Sequence, residues 1–349
     1  MPGFPNFFGN ASVAQTLAQM IERRRIPQTI LLSGPEGIGK ATLARRFAGA
    51  LVKYPEKIEK DDLSLPANVD VMAEREKWTA EKRNEDPLIF SNHPDFVTFA
   101  PDGPLRQITI QQMRFLRERA QFKPLRGSYR VFLIDHLERA NEQAANSLLK
   151  VLEEPPEHLV IIATTENLYD LLPTIRSRSV VFQMSRLADQ ELRHFLEHGQ
   201  VPNAEARIPL CEGSPGHAAT LDLEQVRARR GLMLAALECG AGLIPFSKWV
   251  QHSEAFTAKK SEKLELYLRV VYGLLEDILS AANRRPAARN RDIQERISAI
   301  SERVSFLWIE QAVRQVDELV EMVRRNIQKA AALDAFVVNL RNPFKILST

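Results

Sequence analysis

In the first half of the chain, short apolar, β-branched runs alternate with stretches of helical periodicity. Thr29-Ile30-Leu31-Leu32 predicts a buried strand, and residues 40–53 predict the helix after it. Phe96-Val97-Thr98-Phe99 predicts a second strand. Met113, Leu116 and Ala120 then share one helical face at i, i+3, i+7 spacing. Arg130-Val131-Phe132-Leu133-Ile134 predicts a third strand, ending on Asp135. Ala144, Leu148, Leu149 and Leu152 form the apolar face of a helix that Pro155-Pro156 stops. Residues 159–164 predict a fourth strand and Val180-Val181-Phe182 a fifth. Strands that are apolar along their whole length and separated by helices imply a parallel sheet covered on both faces, an α/β fold.

Near Arg186 the strand signals end. Residues 187–221 read as short helices broken by Gly199, Pro202, Pro209 and Gly213-Ser214-Pro215-Gly216. From Leu223 the helices lengthen, over 264–281 and 309–329 for example, and a basic loop at 283–291 interrupts them. Leu264, Leu268, Val271, Leu275 and Leu279 make one apolar stripe, more than a small lid needs. Residues 53–92 are highly charged and offer no strand. They read as a solvated, partly mobile insertion with one helix over 69–82, whose apolar residues are Met72 and Trp78.

Composition narrows the picture only slightly. At 349 residues, 44% hydrophobic and 26% charged, the chain suits a globular protein of two or three domains. No run reaches the roughly 18 apolar residues of a membrane helix. The opening residues 1–6 lack the plan of a signal peptide, so a cytoplasmic location and no membrane partner are expected. Cys211 and Cys239 fit no zinc spacing and read as two ordinary thiols. A net charge of +3 does not by itself point to nucleic acid.

The candidate chemistry starts at Gly34-Pro35-Glu36-Gly37-Ile38-Gly39-Lys40. It follows a strand and opens a helix, as a phosphate-binding loop must. Gly34, Gly37 and Gly39 let backbone N–H groups curl round phosphate oxygens, the helix N-terminus favours an anion, and Lys40 supplies a point charge. The next position normally carries Ser or Thr to ligate Mg²⁺; here it is Ala41. Thr42 lies about 100° further round the helix and is not expected to face the same metal. The second acidic position is Asp135, at the end of a buried strand. The residue after it, which in hydrolysing enzymes is a Glu that polarises water, is His136.

Three further stretches carry a resemblance. They are Asn92-His93-Pro94-Asp95 with Ile108-Thr109-Ile110, then residues 133–141 running into Ala144-Ala145-Asn146-Ser147-Leu148-Leu149-Lys150-Val151-Leu152-Glu153-Glu154-Pro155-Pro156, and finally Leu171-Leu172-Pro173-Thr174-Ile175-Arg176-Ser177-Arg178-Ser179. Over about residues 4–217 the chain closely resembles bacterial clamp-loader AAA+ subunits, those of the delta-prime type above all. The resemblance implies an AAA+ α/β domain over 1–185 with a P-loop, an all-α lid over 186–222 and an all-α collar over 223–349. Many relatives carry a four-cysteine zinc module where this chain has the 53–92 insertion; without cysteines there, no zinc is expected.

What the resemblance implies for function follows residue by residue. The family's Ser-Arg-Cys motif, which reaches a neighbour's ATP with an arginine finger, reads Ser177-Arg178-Ser179, so Arg178 is the candidate finger acting in trans. Lys40, Thr42 and Asp135 are candidate contacts to ATP or ADP, held weakly or without hydrolysis; whether Mg²⁺ accompanies it stays open, and no other metal is expected. Thr165 falls at the sensor-1 position, or is a plain strand-end hydroxyl. His217 stands where active subunits present Arg. The implied partners are tau/gamma and delta subunits in a five-membered ring, the sliding clamp, and the phosphate backbone of primed DNA. Helix starts at Thr109-Ile110-Gln111 and Asn141-Glu142-Gln143 are candidates for that DNA contact. Arg114, Arg117 and Arg119, and the loop cations Arg284, Arg285, Arg289 and Arg291, read as solvated faces or partner contacts. Three functions compete: a subunit of low or no ATPase activity that lends Arg178, a catalytic tau/gamma-type ATPase, and an AAA+ motor outside replication. Ala41 and His136 favour the first over the second, and residues 147–156 followed by Ser177-Arg178 disfavour the third.

Overall fold

The computed structural model describes residues 4–257, 264–287, 289–323 and 329–341. They form two compact units, Met1–Ala204 with Cys211–Ala219, and Glu205–Leu210 with Thr220–Thr349.

Unit 1 carries the helices α1 (Ala11–Glu22), α2 (Lys40–Leu51), α3 (Pro66–Arg75), α4 (Ala80–Glu85), α5 (Ile110–Ala120), α6 (Glu142–Glu153), α7 (Pro173–Ser177) and α8 (Asp189–His198). Its strands are β1 (Thr29–Ser33), β2 (Ile89–His93), β3 (Phe96–Phe99), β4 (Arg130–Ile134), β5 (Leu159–Thr165) and β6 (Val180–Gln183). They make one six-stranded sheet in the order β2-β3-β4-β5-β1-β6. All pairs are parallel except β2 with β3. Strand alternation sorts the core into two layers. Ile30, Leu32, Leu133 and Ile162 pack with α1 and α2, while Leu31, Phe132, Ile134 and Ile161 pack with α5 and α6. β1, β3, β4 and β5 are therefore buried on both faces, as their continuous apolar sequences require.

The structure corrects the reading of 53–92. The segment runs into β2, an antiparallel edge strand in which only Ile89 and Phe90 are apolar and Ser91 and Asn92 are exposed side by side, so neither a continuous apolar run nor an alternation marks it. The single helix expected over 69–82 is two, α3 and α4, with Trp78 between them beneath the cations of Arg75 and Lys82. Most side chains of the insertion are exposed, as expected, but buried residues anchor it at several points. Ile58 is fully buried, and buried Asp61 accepts from Asn92 N and Nδ2 at 3.0 and 2.7 Å. Arg75 is buried against Asp102, with Nε–Oδ1 at 3.1 Å and Nη2–Oδ2 at 2.8 Å, and also meets Asp86. A buried bidentate pair of this kind ties the insertion to the loop after β3, because neither charge tolerates losing the other.

Of the next two helices, α9 (Ala204–Arg207) belongs to unit 2 from Glu205 on and α10 (Pro215–Thr220) belongs to unit 1 up to Ala219. Among its described residues unit 2 is helical, with α11 (Leu223–Gly240), α12 (Phe246–Thr257), α13 (Leu264–Ala282), α14 (Gln294–Arg303), α15 (Phe306–Val323) and α16 (Lys329–Arg341). The stripe Leu264, Leu268, Val271 and Leu275 is consumed by this unit's own core, beside Trp249, Trp308 and Phe336, and Leu279 packs against it half-buried. Its polar contacts are specific: Trp249 Nε1 donates to Asp334 at 2.7 Å, and Arg296 pairs with Glu238 through two bonds of 2.7 Å. The basic loop is partly neutralised, since Arg289 pairs with Glu276 at 3.0 Å and fully buried Asp277 accepts from Asn290 N at 2.9 Å. Arg284, Arg285 and Arg291 are exposed, and Ala288 lies outside the described residues. No helix of the described residues is long and apolar enough to cross a membrane.

Candidate functional site

β1 delivers the chain to the loop at Gly34, and α2 carries it away from Lys40. Between them Gly34, Gly37 and Gly39 have φ of 151°, 72° and 94°. At Gly37 a Cβ would come within 2.3 Å of Ser214 Oγ, so glycine is required there for space as well as conformation. Gly216 N donates to Gly37 O at 2.9 Å, which seats the Gly213–His217 turn directly on the loop. The first-turn N–H groups of α2 have no acceptor within the helix, which makes this end an anion cradle. A cleft of about 310 Å³ opens beside it, lined among others by Phe7, Lys40, Ala41, Thr42, Asp135 and His136.

Lys40 is buried, and its Nζ donates to two carbonyls of its own loop, Gly34 O and Pro35 O, both at 2.7 Å. Burial pushes its pKa below the ordinary lysine value, against the pull of Glu166, Asp135, Glu138 and Glu36. The metal side of the cleft is incomplete. Ala41 offers no oxygen after Lys40, which leaves Asp135, whose Oδ1 accepts from Thr164 Oγ1 at 2.5 Å, as the carboxylate on that side. The donor set of this P-loop does not fit Mg²⁺ in the usual way, while the cradle fits a phosphate.

His136 follows Asp135 in the left-handed region, at φ 57°, and its N donates to Thr164 Oγ1 at 2.9 Å. That bend turns the imidazole toward carboxylates the sequence did not single out. His136 Nδ1 lies 3.0 Å from Glu138 Oε1 and 3.8 Å from Glu166 Oε1. The hydrogen bond to Glu138 raises the His136 pKa despite burial. Burial pushes the Glu138 carboxyl up, but the bonds and charge of His136 outweigh it and hold it below the usual range. His136, Glu138 and Glu166 place three donor atoms within 4.8 Å of one another, a set compatible with one cation and equally with the ion pair it forms. Glu138 was legible as an acid two residues past His136; Glu166 only the sheet brings near, from the end of β5.

Thr165 is fully buried and donates to Asn167 O at 3.0 Å, and its carbonyl accepts from Gly34 N at 3.1 Å. It therefore ties the end of β5 to the phosphate loop. Arg178 stands apart from the cleft. It caps the C-terminus of α7, ahead of edge strand β6, and its half-exposed guanidinium meets Glu153 at 3.2 Å and Thr174 O at 3.2 Å. Of the two helix starts, Thr109 closes a capping box with Gln112, and Asn141 caps Ala144 N at 2.9 Å. Arg114, Arg117 and Arg119 are all exposed on α5.

Comparison with known proteins places these observations in a family. Residues 9–188, more than half of the 349, match the family model described as DNA polymerase III, delta subunit. The chain is 30% identical over 196 residues to DNA polymerase III subunit tau of Escherichia coli K12, covering 56% of this chain and 27% of that protein. It is 28% identical over 195 residues to subunit gamma of Buchnera aphidicola, covering 56% and 48%. The chain thus spans about a quarter to a half of the length of these relatives. Among solved structures, a DNA polymerase III gamma subunit-related protein of Thermotoga maritima matches with TM-score 0.46 at 19% identity, covering 94% of this chain and 98% of that one.

Proposed function

Because the chain belongs to the DNA polymerase III delta subunit family, we propose that it is a delta-prime-type subunit of the clamp loader. In this role it helps place the sliding clamp on primed DNA, turns over little or no ATP of its own, and lends Arg178 to a neighbouring ATPase subunit. The observation that carries the proposal is the split character of the phosphate loop. Its backbone is shaped for an anion, yet Ala41 supplies no metal ligand and His136, paired with Glu138, stands where a water-polarising carboxylate would be. Nucleotide binding is weak or insensitive to metal. The partners are tau/gamma and delta subunits in a cytoplasmic ring, with unit 2 as the collar and the starts of α5 and α6 toward the DNA backbone. Phosphate contacts of that kind position a protein on DNA without reading its sequence.

The second reading, a catalytic tau/gamma-type ATPase, is favoured by the tau and gamma relatives the chain matches. One experiment separates the two. The purified chain is assayed for ATP hydrolysis with Mg²⁺, alone and after reconstitution with partner subunits, clamp and primed DNA. Negligible turnover by the isolated chain is expected. Robust Mg²⁺-dependent hydrolysis that Lys40→Ala abolishes would reassign the chain as catalytic.

A further inference from the structure

The α6 helix ends at Glu153 because Pro155-Pro156 cannot continue it. A carboxylate in the last turn faces the negative end of the helix dipole, so Glu153 is placed against the preference of its own helix. What it meets instead is Arg178 Nη2, 3.2 Å from Glu153 Oε1. The other terminal nitrogen, Nη1, donates to Thr174 O at 3.2 Å. Arg178 N donates to Ile175 O at 3.2 Å, which holds the backbone of the residue between α7 and β6.

These contacts differ in what they fix. A single bond to Thr174 O leaves the guanidinium free to turn about that bond. A second anchor on the other terminal nitrogen sets its plane. A guanidinium has about five N–H donors, so roughly three remain for a ligand once two are engaged. Both side chains of the pair stay partly exposed, at 36% for Arg178 and 52% for Glu153, so the remaining donors are open to an outside acceptor.

We infer that Glu153 is a positioning residue, whose carboxylate holds the Arg178 guanidinium in the plane in which it is presented to a neighbour's phosphate. The inference rests on the proposed role of Arg178 in trans. The rival explanation is an ion pair that only staples α6 to α7. The two differ in their effect on stability: a staple stabilises the fold, whereas a positioning carboxylate at a helix C-terminus gives the fold little or nothing.

The test uses the full chain in the assembled complex, with Glu153→Gln, Glu153→Asp, Arg178→Ala and the Glu153→Gln/Arg178→Ala double variant. The readouts are clamp- and DNA-stimulated ATP turnover and the thermal midpoint of the purified chain. Glu153→Gln is expected to lower turnover about 2- to 5-fold, the range an exposed ion pair can control. The thermal midpoint should stay level or rise, Glu153→Asp should keep most of the turnover, and Glu153→Gln should add nothing to Arg178→Ala. If Arg178→Ala lowers turnover while Glu153→Gln does not, positioning is overturned and the role of Arg178 stands. If Glu153→Gln lowers the midpoint together with turnover, or adds to Arg178→Ala, the pair is a staple and the inference is overturned. If Arg178→Ala is itself silent, both fall.

Discussion

Lys40 and Arg178 are both cations of unit 1, and their surroundings are opposite. Lys40 is buried, 6% exposed, with its ammonium folded onto the carbonyls of Gly34 and Pro35 and its pKa pushed down by burial. Arg178 sits half-exposed at the end of a short helix, held by two acceptors. Keeping a phosphate loop in shape needs only glycines at positive φ and a strand-to-helix context, all of which this chain retains. Using it for hydrolysis needs oxygen ligands at defined places, and there the chain has Ala41 and His136. The role proposed for Arg178 makes the reverse demand: it needs one side chain of permanent charge at an accessible edge and little of the surrounding backbone.

Three experiments sharpen or break this contrast. The largest effect is expected from Arg178→Ala in the reconstituted complex. Arginine fingers supplied in trans are worth about 10³–10⁵ in rate, but one finger among several sites should cost the whole complex nearer ~10-fold. Clamp loading should fall with it, while gel filtration shows assembly unchanged. A silent Arg178→Ala beside a damaging Lys40→Ala would invert the comparison and make this chain catalytic.

Lys40→Ala is expected to act on the fold more than on turnover. Removing the ammonium leaves the Gly34 and Pro35 carbonyls short of a donor, a loss of about 1–3 kcal/mol when such groups are buried. Relief of the Lys40 burial penalty offsets part of this. Chemical denaturation should therefore report a loss near the low end, with stimulated turnover of the complex changed by less than ~3-fold. A fall in turnover matching that of Arg178→Ala would contradict the division of labour.

The smallest effect is a pH dependence of stability set by the His136–Glu138 pair. The pKa of His136 is raised above its ordinary 6.5, so its contribution is complete below that pH and is lost as pH climbs through the raised value. The pKa of Glu138 is depressed below its ordinary 4.5, so its contribution is present above that pH and is lost as pH falls through the lowered value. Thermal melts should show their best contribution from this pair between about 4.5 and 6.5, with an alkaline decline that Glu138→Gln removes. An alkaline limb unchanged in Glu138→Gln would place its origin elsewhere.

Much of this was legible in the chain itself. Continuous apolar runs at 29–32, 130–134 and 159–164 could be satisfied only by strands covered on both sides, and the helix with Met113, Leu116 and Ala120 buried on one face followed from spacing. The loop glycines, Lys40 and the change at Ala41 were equally plain, because backbone conformation and a missing oxygen are properties of single residues. The edge strand β2 was not legible, since Ile89-Phe90 is followed by Ser91-Asn92-His93, a sequence with neither a continuous apolar run nor an alternation. The order in the 53–92 insertion was also hidden. Charge density there suggested solvent, but Arg75 and Asp102 are buried together, and a charge that finds its partner 27 residues away leaves no local pattern.

What the sequence determined by itself was the period of each element, the glycine conformations of the phosphate loop, and the residues, Ala41 and His136, at the two positions beside Lys40 and Asp135. These depend on neighbours within a few positions, where backbone geometry is the same in any fold. Tertiary structure alone decided the partners: Glu166 beside His136, Ser214 and Gly216 on Gly37, and Glu153 on Arg178. Such contacts join residues between 25 and 179 positions apart, as the numbers in the chain show. Their energies depend on distance and burial, and both come into being only when the sheet and its helices are packed.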